Sequence, residues 1–120
     1  MGDFKRLIAW QRAHALALDL HRTLGTSGSR SFTGLRRQML RAAGSIPDNL
    51  AEGCAKRTRA ELARYAETSY GSVKELQNQM LRARALDIIG ETDHDRLQSL
   101  ADEAARLCFA IARGRKDPSG

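Results

Sequence analysis

The residues able to do chemistry in this chain are few, and their spacing does not suit catalysis. His14 and His21 stand seven apart on one face of an expected helix, and His94 sits where a loop passes into a helix. No carboxylate lies at a spacing that would complete a ligand set or a proton relay with them, so partly buried or interfacial histidines are the plain reading. Cys54 and Cys108 are far apart in apolar stretches, with no CxxC or Cys/His ligand spacing. That argues against a zinc site and for two free thiols in a reducing compartment. Ser45 and Ser72 have no neighbouring base. Dinucleotide fingerprints, phosphate-binding loops, HExxH and nucleophile elbows are all missing. The expectation is therefore no catalytic residue, no metal and no cofactor. An enzyme would need a site assembled between subunits, with histidines brought to Glu52 or Glu75.

Anion binding is the chemistry that remains. The formal net charge is +6, with residues 1–60 carrying +7 and residues 61–120 carrying −1. Arg30, Arg36, Arg37, Arg41, Lys56, Arg57 and Arg59 are the candidate nucleic-acid-binding residues. Arg37 and Arg41, four apart, share a helix face, and Lys56-Arg57-Thr58-Arg59 falls in a turn. Guanidinium groups grip phosphates with two parallel hydrogen bonds, and such a set binds polyanions in a salt-sensitive, sequence-independent way. Aromatic residues are not interleaved with the cations, and no helix-turn-helix signature is present, so base readout is not expected. A solvated basic face that serves solubility alone is the competing reading, and residue types leave both open.

A second constellation surrounds a proline. Arg41, Ser45, Asn49 and Glu52 fall on neighbouring positions of one helical stripe, and Thr68, Ser72, Glu75 and Gln79 form another further along. Pro47 deprives the Ala43 carbonyl of its usual donor. Nearby polar side chains are placed to satisfy exposed backbone groups, and Gly44 and Gly53 would let another backbone come close. Arg41, Ser45, Asn49, Glu52, Ser72 and Glu75 are thus a candidate polar network between helices, read either as a register-fixing device or as a ligand site. Burying an unpaired carboxylate is costly, so donors are expected near Glu52 and Glu75, with Arg41 the first candidate.

Helices must position these groups. Only six of 120 residues are aromatic and only two are proline, while Ala, Leu, Arg, Glu and Gln abound. The first helix is expected from Phe4 to Leu24, with Leu7, Trp10, Ala13, Ala17, Leu20 and Leu24 on one face and Gly25 as its stop. A small, polar loop follows. The second helix starts near Thr33 or Gly34 and continues, kinked, through Pro47 to Cys54. Thr58 and Glu61 form a capping box for the third, which ends between Leu86 and Ile89 with Gly90 as stop. Thr92 is expected to cap the fourth, which Gly114 closes. The fold class is all-α: an antiparallel up-and-down four-helix bundle over residues 1–114, with residues 115–120 as a disordered tail. No apolar run suits a signal peptide or a membrane span, and the expected location is cytoplasmic.

Four motifs carry a resemblance. They are Phe4-Lys5-Arg6-Leu7-Ile8-Ala9-Trp10-Gln11-Arg12-Ala13-His14; Gln38 to Ala43; Ser45-Ile46-Pro47-Asp48-Asn49-Leu50-Ala51-Glu52-Gly53; and Gly71-Ser72-Val73-Lys74-Glu75-Leu76. In order and spacing they resemble the four-helix-bundle family of proteins encoded by intervening sequences of bacterial large-subunit rRNA genes. The accessory variability proteins of diversity-generating retroelements are similar. The likeness runs from Phe4 to about Arg113, and the matching motif residues are Trp10, Arg41, Ser45, Pro47, Asn49, Glu52, Gly53, Gly71, Ser72 and Glu75. Tyr70 and Cys54 depart from the residues common there. The resemblance implies an antiparallel four-helix protomer in a ring-shaped homopentamer with a basic, funnel-like surface. For the retroelement branch it implies binding to a reverse transcriptase and to nucleic acid, without catalysis. The expected function is a non-enzymatic, homo-oligomeric accessory protein. A scaffold indifferent to polyanions is the alternative.

Overall fold

In a computed structural model, residues 2–25 and 31–118 are described, and they form four α-helices and one short 3-10 turn. Helix α1 spans Ile8–Gly25, α2 Thr33–Cys54, α3 Arg59–Ala85 and α4 Glu91–Ala112. Each helix packs on its sequence neighbours, and α1 closes the ring on α4. The diagonal pairs α1/α3 and α2/α4 make no close approach. The result is an up-and-down bundle measuring 44 × 20 × 19 Å.

The core is aliphatic and small-grained. Leu16, Leu20, Met39, Ile46, Leu50, Val73, Leu76, Met80 and Leu97 are fully buried, as are Ala9, Ala13, Ala43, Ala66, Ala83, Ala101 and Ala104. Alanine on facing helices lets axes approach while the larger aliphatics fill the layers between them. Trp10, Phe4 and Tyr70 only flank this core.

The first helix begins later than its apolar period predicts. Phe4–Arg6 make a 3-10 turn in which the Asp3 carboxylate accepts from the Lys5 N–H at 3.0 Å, and Leu7 is extended. The freed N–H groups at the start of α1 find their partner 109 residues away: Ile8 N and Ala9 N both donate to the Asp117 carboxylate at 2.9 Å. Asp117 is 8% exposed. The segment expected to be a disordered tail is thus tied down as far as Asp117, because a carboxylate at a helix N-terminus meets both unpaired donors and the helix dipole.

Helix α2 passes through Pro47 without a break, and the proline ring is buried. Two side chains bond the backbone around it. Asn49 Nδ2 donates to the Ser45 carbonyl at 2.8 Å, and Ser69 Oγ donates from α3 to the Ile46 carbonyl at 2.8 Å. These bonds fall on the carbonyls of residues 45 and 46 rather than on that of Ala43. Gly53 is needed for the α2–α3 approach, since a Cβ there would lie 2.8 Å from the Tyr65 Cβ. Gly44, in contrast, faces open space.

Three helix ends differ from expectation in detail. Thr58 Oγ1 accepts from Glu61 N at 3.1 Å, but its hydroxyl donates to the Glu61 carboxylate, so the reciprocal half of the capping box is absent. The stop of α3 is Asp87 at φ 58°, with Ile88 N donating to Ala83 O and Asp87 N to Arg84 O. That leaves Gly90 free to be the N-cap of α4, which therefore starts before Thr92. Gly114, at φ 80°, ends α4 with the same pair of bonds, from Arg115 N to Ala110 O and from Gly114 N to Ile111 O.

Candidate nucleic-acid interface

The seven predicted cations do not form one patch. Helix α2 is 22 residues long, about 33 Å, and it separates them into two groups at opposite ends of the bundle. Arg37 and Arg41 are exposed near its start. Arg36 is held there by the backbone: its Nε donates to Ser31 O at 2.9 Å and its Nη1 to Leu24 O at 3.3 Å, joining the end of α1 to the start of α2. Its guanidinium is a structural clasp. Arg30 lies outside the described residues.

Lys56, Arg57 and Arg59 sit at the far end, in the α2–α3 turn and the first residue of α3. Lys56 lies over the Tyr65 ring at 5.4 Å, while Arg57 and Arg59 are exposed. Antiparallel packing brings three other segments to this end: the approach to α1, the close of α4 and the residues beyond it. Arg6, Arg59, Arg115 and Lys116 line one cavity of about 340 Å³, whose floor includes Leu7, Cys54, Leu62 and Ile111. The same cavity is lined by Asp3 and Asp117, but both carboxylates are bonded to backbone N–H groups. None of the four cations has an ion-pair partner among the described residues.

Residues 2–7, 55–59 and 113–118 together carry eight Lys or Arg against two Asp, a net +6 equal to that of the whole chain. Sequence reading missed Arg6, Arg115 and Lys116 for two reasons. The split of charge by halves hides cations contributed by both ends of the chain, and Arg115 and Lys116 fall in the stretch assigned to a tail. The basic dipeptides Lys5-Arg6 and Arg115-Lys116 were the available signal.

The predicted polar network forms only in part. The Ser45 and Ser72 hydroxyls bond each other across α2 and α3. Glu52 and Glu75 are both exposed, so water solvates them and neither needs the buried donor expected for it. The Glu75 carboxylate accepts only from Gln79 Nε2, at 3.5 Å. Arg41 pairs with neither. It lines an α2–α3 groove with Gln38, Glu75, Asn78, Gln79 and Arg82. Gln79 itself is 4% exposed, and its Oε1 has no hydrogen-bond partner.

The groups weighed for catalysis lie apart. His14 stacks on Trp10 with ring centroids 4.6 Å apart, His21 is exposed on α1, and His94 contacts Asp95 and Gln98. Burial pushes the Cys54 thiol up and the Cys108 thiol up to about 12, so both are held protonated. No group of three His, Cys, Asp or Glu able to hold a metal occurs among the described residues. No helix among them is long and apolar enough to cross a membrane.

Sequence comparison with curated proteins finds no match. Comparison with protein-family profiles matches residues 5–110 to the family described as 23S rRNA-intervening sequence protein. That span takes in α1, α2, α3 and nearly all of α4, with Arg37, Arg41, Lys56, Arg57 and Arg59, while Arg113, Arg115 and Lys116 lie beyond it. The chain, a four-helix bundle with one strongly basic end, belongs to the 23S rRNA-intervening sequence protein family.

Proposed function

We propose that this protein is a non-enzymatic, homo-oligomeric accessory protein that binds nucleic acid through its basic end without reading sequence. One observation carries the reading: three segments distant in sequence meet at one end of the bundle with a net +6, and their two carboxylates are occupied by backbone donors. Cations that a fold leaves without internal partners repel one another, and a polyphosphate relieves that repulsion while releasing its own counterions. The sequence carries no helix-turn-helix signature, so affinity is expected to follow charge. Assembly as a ring-shaped pentamer, and a reverse transcriptase as protein partner, extend the proposal on the strength of the resemblance to retroelement accessory proteins. A ring would multiply the basic ends and the avidity with them.

The test is fluorescence anisotropy with a labelled 20-base-pair duplex across a salt series. Affinity is expected to fall steeply and linearly in the logarithm of salt. The double substitution Arg57→Ala/Arg59→Ala should reduce that slope by about 2, close to one unit per lost phosphate contact. Absence of binding at low salt would leave the scaffold alternative. Light scattering after size exclusion should give a mass of several protomers, and a strict monomer would remove the assembly half of the proposal.

A further inference from the structure

The side of the bundle that adjoins the basic end carries an arrangement the chain order conceals. Tyr70 on α3 and Phe109 on α4, 39 positions apart, meet with ring centroids 5.4 Å apart and planes tilted by 54°. Each ring is attended by a cation: Lys74 Nζ lies 5.4 Å from the Tyr70 centroid, and the Arg113 guanidinium 4.8 Å from that of Phe109. A surface groove of about 290 Å³ runs between the helices, lined by Tyr70, Lys74, Asp102, Ala105, Arg106 and Phe109. Asp102 accepts from Gln77 Nε2 at 2.8 Å. Lys74, Arg106 and Arg113 have no ion-pair partner among the described residues. The expectation that no aromatic residue accompanies the cations is thus reversed here, in the half of the chain whose net charge is negative.

We infer that this groove is a stacking platform for an unpaired stretch of nucleic acid, with bases on Phe109 and Tyr70 and phosphates on Lys74, Arg106 and Arg113. The inference rests on the proposed nucleic-acid binding and gives it a preference for single strands. Three arguments support this occupant. Phe109 is 37% exposed, so part of its ring is open to a ligand. Three cations against one carboxylate fit a polyanion. A protein partner, or a second copy of this chain, would bury those cations unpaired unless it brought carboxylates to match. Arg113, over the Phe109 ring, is also among the cations counted at the basic end, so the rings lie beside that end. Base-on-aromatic stacking combined with phosphate-binding cations is the physical basis of sequence-tolerant single-strand binding. Duplex bases are already stacked on one another and cannot use the rings.

The experiment measures anisotropy with a 12-mer single strand and a 20-base-pair duplex in parallel. The single strand carries one 2-aminopurine, whose emission is quenched by stacking. Phe109→Leu keeps an apolar side chain and removes the π-face, and Arg106→Gln removes one phosphate contact. Expected are quenching on binding to the wild type, none with Phe109→Leu, and about a tenfold loss of single-strand affinity with duplex affinity unchanged. Arg106→Gln should lower the single-strand salt slope by about 0.7 and leave the duplex slope alone. If the wild type binds both probes and Phe109→Leu changes neither affinity nor emission, the groove is overturned while the basic end stands. Binding of neither probe overturns both. A change of oligomeric mass with Phe109→Leu, without a change in binding, assigns the groove to self-association and overturns the inference.

Discussion

At the scale of single residues, two carboxylates do work that composition does not reveal. Asp117 accepts from the N–H groups of both Ile8 and Ala9. Asp117→Ala should therefore cost about 2 kcal/mol, the loss of a cap together with desolvated donors, seen as a lower urea midpoint with an unchanged m-value. Asp19 is gripped by Arg96 through two bonds of 2.9 and 2.8 Å, and this hydrogen bonding holds its carboxyl below the ordinary 3.8. A carboxyl depressed in the fold stabilises it above the unfolded value, and that contribution fades as pH falls through the folded one. Asp19→Asn should thus be less stable than wild type at neutral pH, with the gap closing below pH 3.8 in thermal melts. Both thiols are buried and protonated. Ellman's reagent is expected to titrate them slowly in native protein at pH 8 and at once in guanidinium.

At the scale of helices, the four elements were legible, and so was the survival of α2 across Pro47, though on α1 the core takes Ala9 and Leu16 where Leu7 and Trp10 were expected. Periodicity reports which face is buried, and that depends on spacing alone. Helix ends were less legible, because a stop depends on which residue reaches the left-handed region first. Asp87 does so three positions before Gly90, so the glycine reads as a stop and acts as a start. The glycines also differ in purpose. Gly53→Ala should cost about 1–3 kcal/mol, because its Cβ would strike Tyr65 Cβ at 2.8 Å and Leu62 Cδ1 at 2.9 Å. Gly44→Ala and Gly71→Ala meet nothing within 4 Å and should each gain about 0.5–1 kcal/mol by chemical denaturation. A loss of oligomeric mass in those two variants would show that an incoming subunit uses the space.

At the scale of the whole molecule, charge was legible in amount and not in place. The cations before, in and after α2 read as one set because sequence distance conceals that a helix of about 33 Å holds its ends apart. Antiparallel packing then gathers Arg6, Arg59, Arg115 and Lys116, which no local window contains together. The same geometry pairs Tyr70 with Phe109 and dissolves the expected ion pairs of Arg41, whose carboxylate partners remain in water.

The bond from Asp117 to the start of α1 has an engineering consequence. It places residues 3 and 117 against one cavity, so a short Gly/Ser bridge could weld these two segments together. A circular permutant made in this way and reopened between Leu86 and Asp87, both exposed, should fold with the parent's circular dichroism spectrum. An affinity tag grafted onto either segment would instead overhang the cationic cavity and blunt polyanion capture, an artefact that removing the tag should reverse.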